Sequence, residues 1–389
     1  MTESTHLCLV SNQPTPNLTP ALDPDLAPRR VILLVSPDMT RRAEALEAVL
    51  KPRGISVARW PIQDAWDVEH IQQRVLELLE QESALIAPRA IALNATGGTK
   101  PMSIAAYEAF RAYDLPIFYV HPEHDRLIWL HPADRPAVDI ANRVRLDAFL
   151  LAHGARLEAS VTQPVSAPHQ ALNTWLVANV QHLARPLGTL NWLANRAERE
   201  LLSPALEPHQ LRDPDLAELL DRFADAGLLR LEQGRLRFPH EAARGIVNGG
   251  WLEGHVYTVF ADLKREDRRI QDLARTVQIV RRDARGALVP NELDVTTLME
   301  NRLYLIECKT RGWRDDGPGD GPGAEALYKL DTLADLLGGL QARAMLVSYL
   351  DLSAYTLRRA ADLRIRVCAG ARLPELRQHL ADWLPRTRV

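Results

Sequence analysis

Cysteine is scarce in this 389-residue chain, and Cys8, Cys308 and Cys368 lie far apart. That spacing builds neither a disulfide framework nor a thiolate zinc site, which excludes a small stapled scaffold. No uninterrupted apolar run is long enough to span a bilayer, and no cationic-apolar leader stands in the sequence. The expectation is a protein without membrane contact in the reducing cytoplasm. A dominant charge is also missing: the formal net charge is only -3, so any nucleic-acid surface has to be local. What is present is ordinary for a packed protein, 46% hydrophobic and 25% charged residues. The length predicts two or three domains.

Residues 1–145 alternate short apolar runs with helical patterns. "HLCLV", "RRVILLVS", "RAIALN", "PIFYV" and "RLIWL" read as strands, and the segments between the earlier ones read as helices. This order predicts an α/β domain built on a parallel, doubly wound sheet, whose ligands bind beyond the carboxyl ends of the strands. Ser11, Asn12 and Gln13 follow the first strand; Ser36, Pro37 and Asp38 follow the second. A third strand end carries "LNATGGTKPM". There Gly97 and Gly98 admit a close backbone approach, Thr99 can cap a helix, and Pro101 suits its first turn. Free amides at that helix start, with Lys100 beside them, favour an anion such as phosphate. The spacing is neither GxxxxGK[ST] nor GxGxxG. A plain glycine turn with a capped helix and a solvated lysine satisfies the same residues.

"NATGGTKPM" after a buried strand, with "CLVSNQPTPN" near the start, resembles the CARF domain of type III CRISPR effectors, a Rossmann-like sensor of cyclic oligoadenylates. The resemblance implies a homodimer whose paired rims form one symmetric pocket for a ring of 3′–5′ linked adenylates. It implies contacts from Ser11, Asn12 and Gln13, from Ser36, Pro37 and Met39, and from Thr96, Gly97, Gly98, Thr99, Lys100 and Met102. A twofold axis would duplicate each loop around a ligand with several phosphates.

Residues 146–245 turn helical. In "DPDLAELLDRFADAGLLRLEQGRLRFP", Asp213 is a candidate N-cap, and Leu216, Leu219, Leu220 and Phe223 form one stripe. The hairpin after Gly227 makes this a winged-helix-like segment. It reads either as a spacer or as a DNA contact through Arg230, Arg235 and Arg237. Residues 246–389 follow the order α, β, β, β, α, β, with a Gly/Pro-rich loop, "GWRDDGPGDGPG", before the second helix. Glu307 and Lys309, two apart on one strand, share a face while the Cys308 side chain faces away. If "MENR" makes the turn, Asp294 comes opposite them. Two carboxylates with a backbone carbonyl, that of Cys308, suit Mg²⁺ or Mn²⁺. An exposed ion pair on a hairpin would leave the same pattern.

"PNELD" ending in Asp294 and "IECKT" with Glu307 and Lys309 resemble the PD-(D/E)xK restriction-endonuclease-like nucleases, although Pro290 is not adjacent to Asp294. Glu253 in "WLEGH" fits that family's acidic position on the first helix. From Lys264 to Arg285 the chain holds eight Lys or Arg against four Asp or Glu, which suits phosphate contacts. Joined, the halves resemble CARF-nuclease effectors of type III CRISPR defence. This implies a homodimeric, metal-dependent nuclease activated by cyclic oligoadenylate, usually cyclic tetra-adenylate, and cutting DNA, RNA or both. The competing class is a ligand-responsive transcription regulator without nuclease activity, which has no need of the Asp294, Glu307 and Lys309 set.

Overall fold

Runs of Leu, Val and Ile buried on both sides set the first sheet of the computed structural model, which describes residues 4–83, 90–121, 125–283, 285–311 and 322–385. Strands β1 (Thr5–Leu9), β2 (Arg30–Val35), β3 (Ser56–Pro61), β4 (Ile91–Asn94) and β5 (Ile117–His121) run parallel in the spatial order β3-β2-β1-β4-β5. Helices α1 (Thr15–Leu22), α2 (Thr40–Leu50), α3 (Val68–Ser83) and α4 (Lys100–Ala112) connect them. The sheet is not wholly parallel: β6 (Arg126–His131) and β7 (Val138–Asp139) extend it antiparallel. A parallel crossover needs a dozen or more residues, and fewer than that separate β5 from β6. Strand β3 carries no long apolar run because it is an edge strand with half-buried and exposed positions.

The middle of the chain holds α5 (Leu146–Ala152), β8 (Ala155–Val161), α6 (Ala167–Ala178), α7 (Val180–Arg196), β9 (Leu202–Ala205), α8 (Pro214–Asp225), β10 (Arg230–Glu232), β11 (Arg235–Arg237) and α9 (Glu241–Gly245). Asp213 caps α8, accepting from Asp215 N and Leu216 N at 3.1 and 3.2 Å. A small antiparallel sheet, β10-β11-β9, packs beside it. Of its arginines, Arg237 pairs with Glu232 at 2.7 Å and Arg235 donates to Ser203 O at 3.3 Å.

The last part comprises α10 (Trp251–Glu266), β12 (Ile270–Arg282), β13 (Leu288–Met299), β14 (Arg302–Lys309), α11 (Pro322–Gly338), β15 (Arg343–Ser348), α12 (Ala354–Asp362), β16 (Arg366–Ala369) and α13 (Leu376–Trp383). Its sheet order is β16-β15-β14-β13-β12-β8, so a strand from the middle segment completes the edge. Glu300 and Asn301, with φ of 49° and 54°, make the tight β13–β14 turn. Most of the Gly/Pro-rich loop before α11, residues 312–321, lies outside the described residues.

One apolar core joins the two large sheets. It runs from Leu33 and Val35 on β2 through Leu46 and Val49 on α2 and Phe149 on α5 to Val277 and Ile279 on β12 and Leu330 on α11. A shared close-packed core transmits displacement between domains instead of letting them move freely.

A polar contact reinforces the joint: Asn301 Nδ2 donates to Asp125 Oδ2 at 2.5 Å, and Asn301 N donates to Gln271 Oε1 at 2.6 Å. Burial pushes the Asp125 carboxyl up to about 7, aided by Glu300 and Asp23 and opposed by Asn301 and Arg302. The folded state therefore keeps a proton that the unfolded chain releases, and stability falls as pH rises from about 4 to about 7. Asp125 is half-buried, so on the order of 1–2 kcal/mol is at stake. Asp125→Asn is expected to raise Tm by a few degrees at pH 8 and to leave it unchanged at pH 4.5. Equal shifts at both pH values would refute this titration.

Candidate functional site

The three loops named from the sequence lie side by side, because β2, β1 and β4 are neighbours in the sheet. A Cβ on Gly97 would stand 2.1 Å from Leu9 O, so only glycine lets this loop meet β1. Gly98 has φ of 74° and rests on the buried Met102. Thr99 Oγ1 accepts from Met102 N at 3.3 Å, capping α4, and donates to Ala65 O at 2.6 Å. Thr96 Oγ1 donates to Asn94 Oδ1 at 2.7 Å and accepts from Val120 N at 2.8 Å. The loop is thus tied on every side, while Lys100 at the start of α4 is exposed. Gly97→Ala is expected to cost on the order of 3 kcal/mol, read from the denaturation midpoint; an unchanged midpoint would show that the loop can yield.

The rim residues play unequal parts. Asn12, Pro37 and Lys100 are exposed, and Ser11, Gln13, Met39, Thr96, Gly98 and Thr99 are partly so. Ser36, Gly97 and Met102 are buried and shape the rim from beneath. Gln13 turns toward the last domain, where its side chain closes on Gly339. Ser36 Oγ donates to Asp38 Oδ1 at 2.5 Å.

In the last domain the sheet forks. Pairing of β13 with β14 ends at Val295↔Ile306. Beyond it β13 stays with β12 as far as Leu288↔Arg282, and β14 stays with β15 as far as Lys309↔Ser348. Asp294 and Glu307 stand where the strands part. Asp294 Oδ2 accepts from Cys308 N at 2.7 Å, and Lys309 pairs with Glu307, which is buried. Glu253 on α10 accepts from Thr276 Oγ1 at 3.2 Å. The structure therefore brings together Glu253, Asp294, Glu307 and Lys309, which the sequence separates by up to 56 positions.

Electrostatics follow from crowding. The Asp294 carboxyl is held well above its usual range by burial, then by Glu307 and Glu253, against the pull of Lys309 and the Cys308 amide. Burial, then Glu292, pushes Glu253 up to about 7. Burial opposes the Lys309 charge, but Glu307 and Asp294 outweigh it and its pKa rises. The Cys308 side chain packs against the domain core, and burial holds its thiol protonated. Only its backbone can therefore serve an ion. Among the described residues no three His, Cys, Asp or Glu side chains converge closely enough to hold a metal by themselves.

Two participants escape a reading of the sequence. Thr276 has φ of 49°, strained for a β-branched residue, and it steadies Glu253; composition gives no sign of this. Glu292 stands two before Asp294 on one strand, a spacing that places both on one face. Of the basic stretch, Arg269 is neutralised by Asp267 and Glu300, and Arg275 lies over the Tyr257 ring.

A Rossmann-like rim on one domain and a forked sheet with buried acids on the other define a ligand sensor fused to an endonuclease-type domain. The chain belongs to the Card1-like family: residues 5–149 match the Card1 CARF domain and residues 240–387 the Card1-like endonuclease domain. Protein VC1899 from Vibrio cholerae is 34% identical, with a TM-score of 0.87 over 97% of both chains. Can2 from Sulfobacillus thermosulfidooxidans, solved in complex with cyclic tetra-adenylate, is 26% identical, with a TM-score of 0.80 over 98% of this chain and 99% of that one. A type III CRISPR defence DNA nuclease activated by cyclic oligoadenylate shares the fold at 22% identity and a TM-score of 0.51, over 89% of this chain and 45% of that one. No curated protein sequence gives a match. Among the described residues no helix is long and apolar enough to cross a membrane.

Proposed function

We propose that this protein is a metal-dependent nuclease of type III CRISPR defence, switched on by cyclic oligoadenylate and acting as a homodimer. The observation that carries the reading is the fork that gathers Asp294, Glu307 and Lys309 beside Glu253. Asp294, Glu307 and the Cys308 carbonyl form a hard oxygen donor set for Mg²⁺ or Mn²⁺. The crowding that holds the Asp294 carboxyl above its usual range is what a divalent cation would relieve. When bound, such an ion polarises a phosphodiester and acidifies water. Lys309, held by Glu307, is placed to steady negative charge developing on phosphorus. Thr276 fixes the orientation of Glu253.

The activator is proposed to be cyclic tetra-adenylate, the ligand found on Can2, which this chain resembles over nearly its whole length. It would lie across the paired rims, with the Gly97–Gly98 loop and Lys100 of each subunit facing its phosphates. Activation needs differential affinity: a hundredfold gain in cutting requires about 2.7 kcal/mol tighter binding to the competent form. The continuous apolar core between the sheets gives that difference a path. The test is cleavage of supercoiled plasmid, single-stranded DNA and RNA in Mn²⁺, with and without cyclic tetra-adenylate. Cutting that needs both metal and ligand is expected. Ligand binding with no cutting of any substrate would leave a regulator.

A further inference from the structure

Between the two large sheets lies a cleft of about 670 Å³, walled on one side by α2 and on the other by the β12–β13 arm and the end of α11. Five arginines line it, Arg41, Arg42, Arg156, Arg281 and Arg282, against two carboxylates, Asp38 and Glu44. Gathered like charges repel, so their partners matter. Arg156 pairs with Glu158 at 2.7 Å, and Glu44 sits 3.8 Å from Arg59, outside the cleft. The other four are held by neutral groups. Arg41 donates to Asp283 O at 2.9 Å and Arg42 to His153 O at 2.6 Å. Arg281 donates to Asn291 Oδ1 at 3.1 Å and Arg282 to Gly286 O at 3.0 Å. Among the described residues none of these four forms an ion pair, so their charge is oriented but not neutralised. Burial works further against the Arg42 charge.

The imidazole of His153 backs this wall, and the apolar side chains around the cleft add to it. His153 lines the cleft, and its Nδ1 lies 2.9 Å from Phe149 O. The ring is stacked on Phe149, and burial lowers its pKa to about 4, so it is neutral near pH 7. Nδ1–H then donates to that carbonyl, and Nε2 is sealed in the protein behind the cleft wall. Leu151, Leu288 and Leu336 add apolar surface. Guanidinium groups for phosphate and apolar walls in a space of this size suit a nucleotide.

We propose that this interdomain cleft, which adjoins the rim assigned to the cyclic activator through Asn12 and Asp38, is a second nucleotide-phosphate site formed within one chain. Its ligand is a phosphorylated nucleoside, either free or at the end of a nucleic-acid strand. Because its walls come from both domains, occupancy clamps the β12–β13 arm, which also carries Asp294, against α2.

The test is calorimetry in EDTA, so that no strand is cut, on the full-length protein with pyrophosphate, ADP and a 5′-phosphorylated hexathymidylate. Saturable binding of at least one probe is expected, with affinity reduced at least tenfold in Arg41→Ala/Arg282→Ala. Binding of pyrophosphate or ADP alone assigns a free nucleotide, and binding of the oligonucleotide alone assigns a strand end; either supports the site. The apo variant should melt no lower than wild type at low salt, since the arginines repel one another, and it should keep its affinity for cyclic tetra-adenylate. No saturable binding, equal binding by the variant, or a parallel loss of cyclic tetra-adenylate affinity would overturn the proposal. None of these readouts depends on cleavage, so the failure of the nuclease reading would show separately.

Discussion

Asp294→Ala and Glu307→Ala are each expected to lower ligand-activated cleavage at least about a thousandfold, some 4 kcal/mol of transition-state stabilisation. Each removes one of only two side-chain donors proposed for the cation, at the point where β13 and β14 part. The loss must not come from unfolding, and the electrostatics supply a check. Both carboxyls sit in a crowded acidic fork, with Asp294 held well above its usual range by burial and by Glu307. Relieving that crowding at Asp294 should leave metal-free stability at pH 7.5 unchanged or higher. Asp294→Asn, nearly isosteric, is the cleanest version. Cyclic tetra-adenylate affinity should also be untouched. Undiminished cutting by either alanine variant would refute the site.

Lys100→Ala is expected to weaken cyclic tetra-adenylate roughly a hundredfold without changing Tm. The side chain is exposed at the first residue of α4, beside the amides of the glycine loop. A charge-assisted contact is worth about 1.5 kcal/mol, and a twofold axis would remove two at once, about 3 kcal/mol. The concentration of ligand for half-maximal cleavage should rise by the same factor, with the maximal rate preserved, because linkage ties activation to binding. Unchanged affinity by calorimetry would take Lys100 out of the pocket. A fall in maximal rate at saturating ligand would place it in the coupling instead.

Much of the molecule is legible in the chain because the signals are local. The order α, β, β, β, α, β follows from apolar runs and turn residues, and the structure has α10, β12, β13, β14, α11 and β15 in that order. The glycine loop falls between a buried strand and a capped helix because two glycines, a threonine and a proline each serve one position there. The edge strands β3 and β8 were harder to read. Each is partly exposed, so neither shows the apolar run of a central strand, and β8 belongs to a sheet whose other strands begin more than 100 residues later. Helix α1 carries Pro20 in its interior, a residue that argues against a helix, yet burial against the first sheet holds it.

By itself the sequence determined which chemistry was available: two acids and a lysine spaced along a hairpin, and a phosphate-suited loop at a strand end. Only the tertiary structure decided how they are used. Periodicity places a side chain on a face, but register and sheet packing bring distant segments together. Those long-range choices open the fork at Val295↔Ile306 and bring Glu253 to it. They also run one core through both domains and gather Arg41 and Arg42 with Arg281 and Arg282 around one cleft. Each is a contact between residues whose separation along the chain carries no periodic signal.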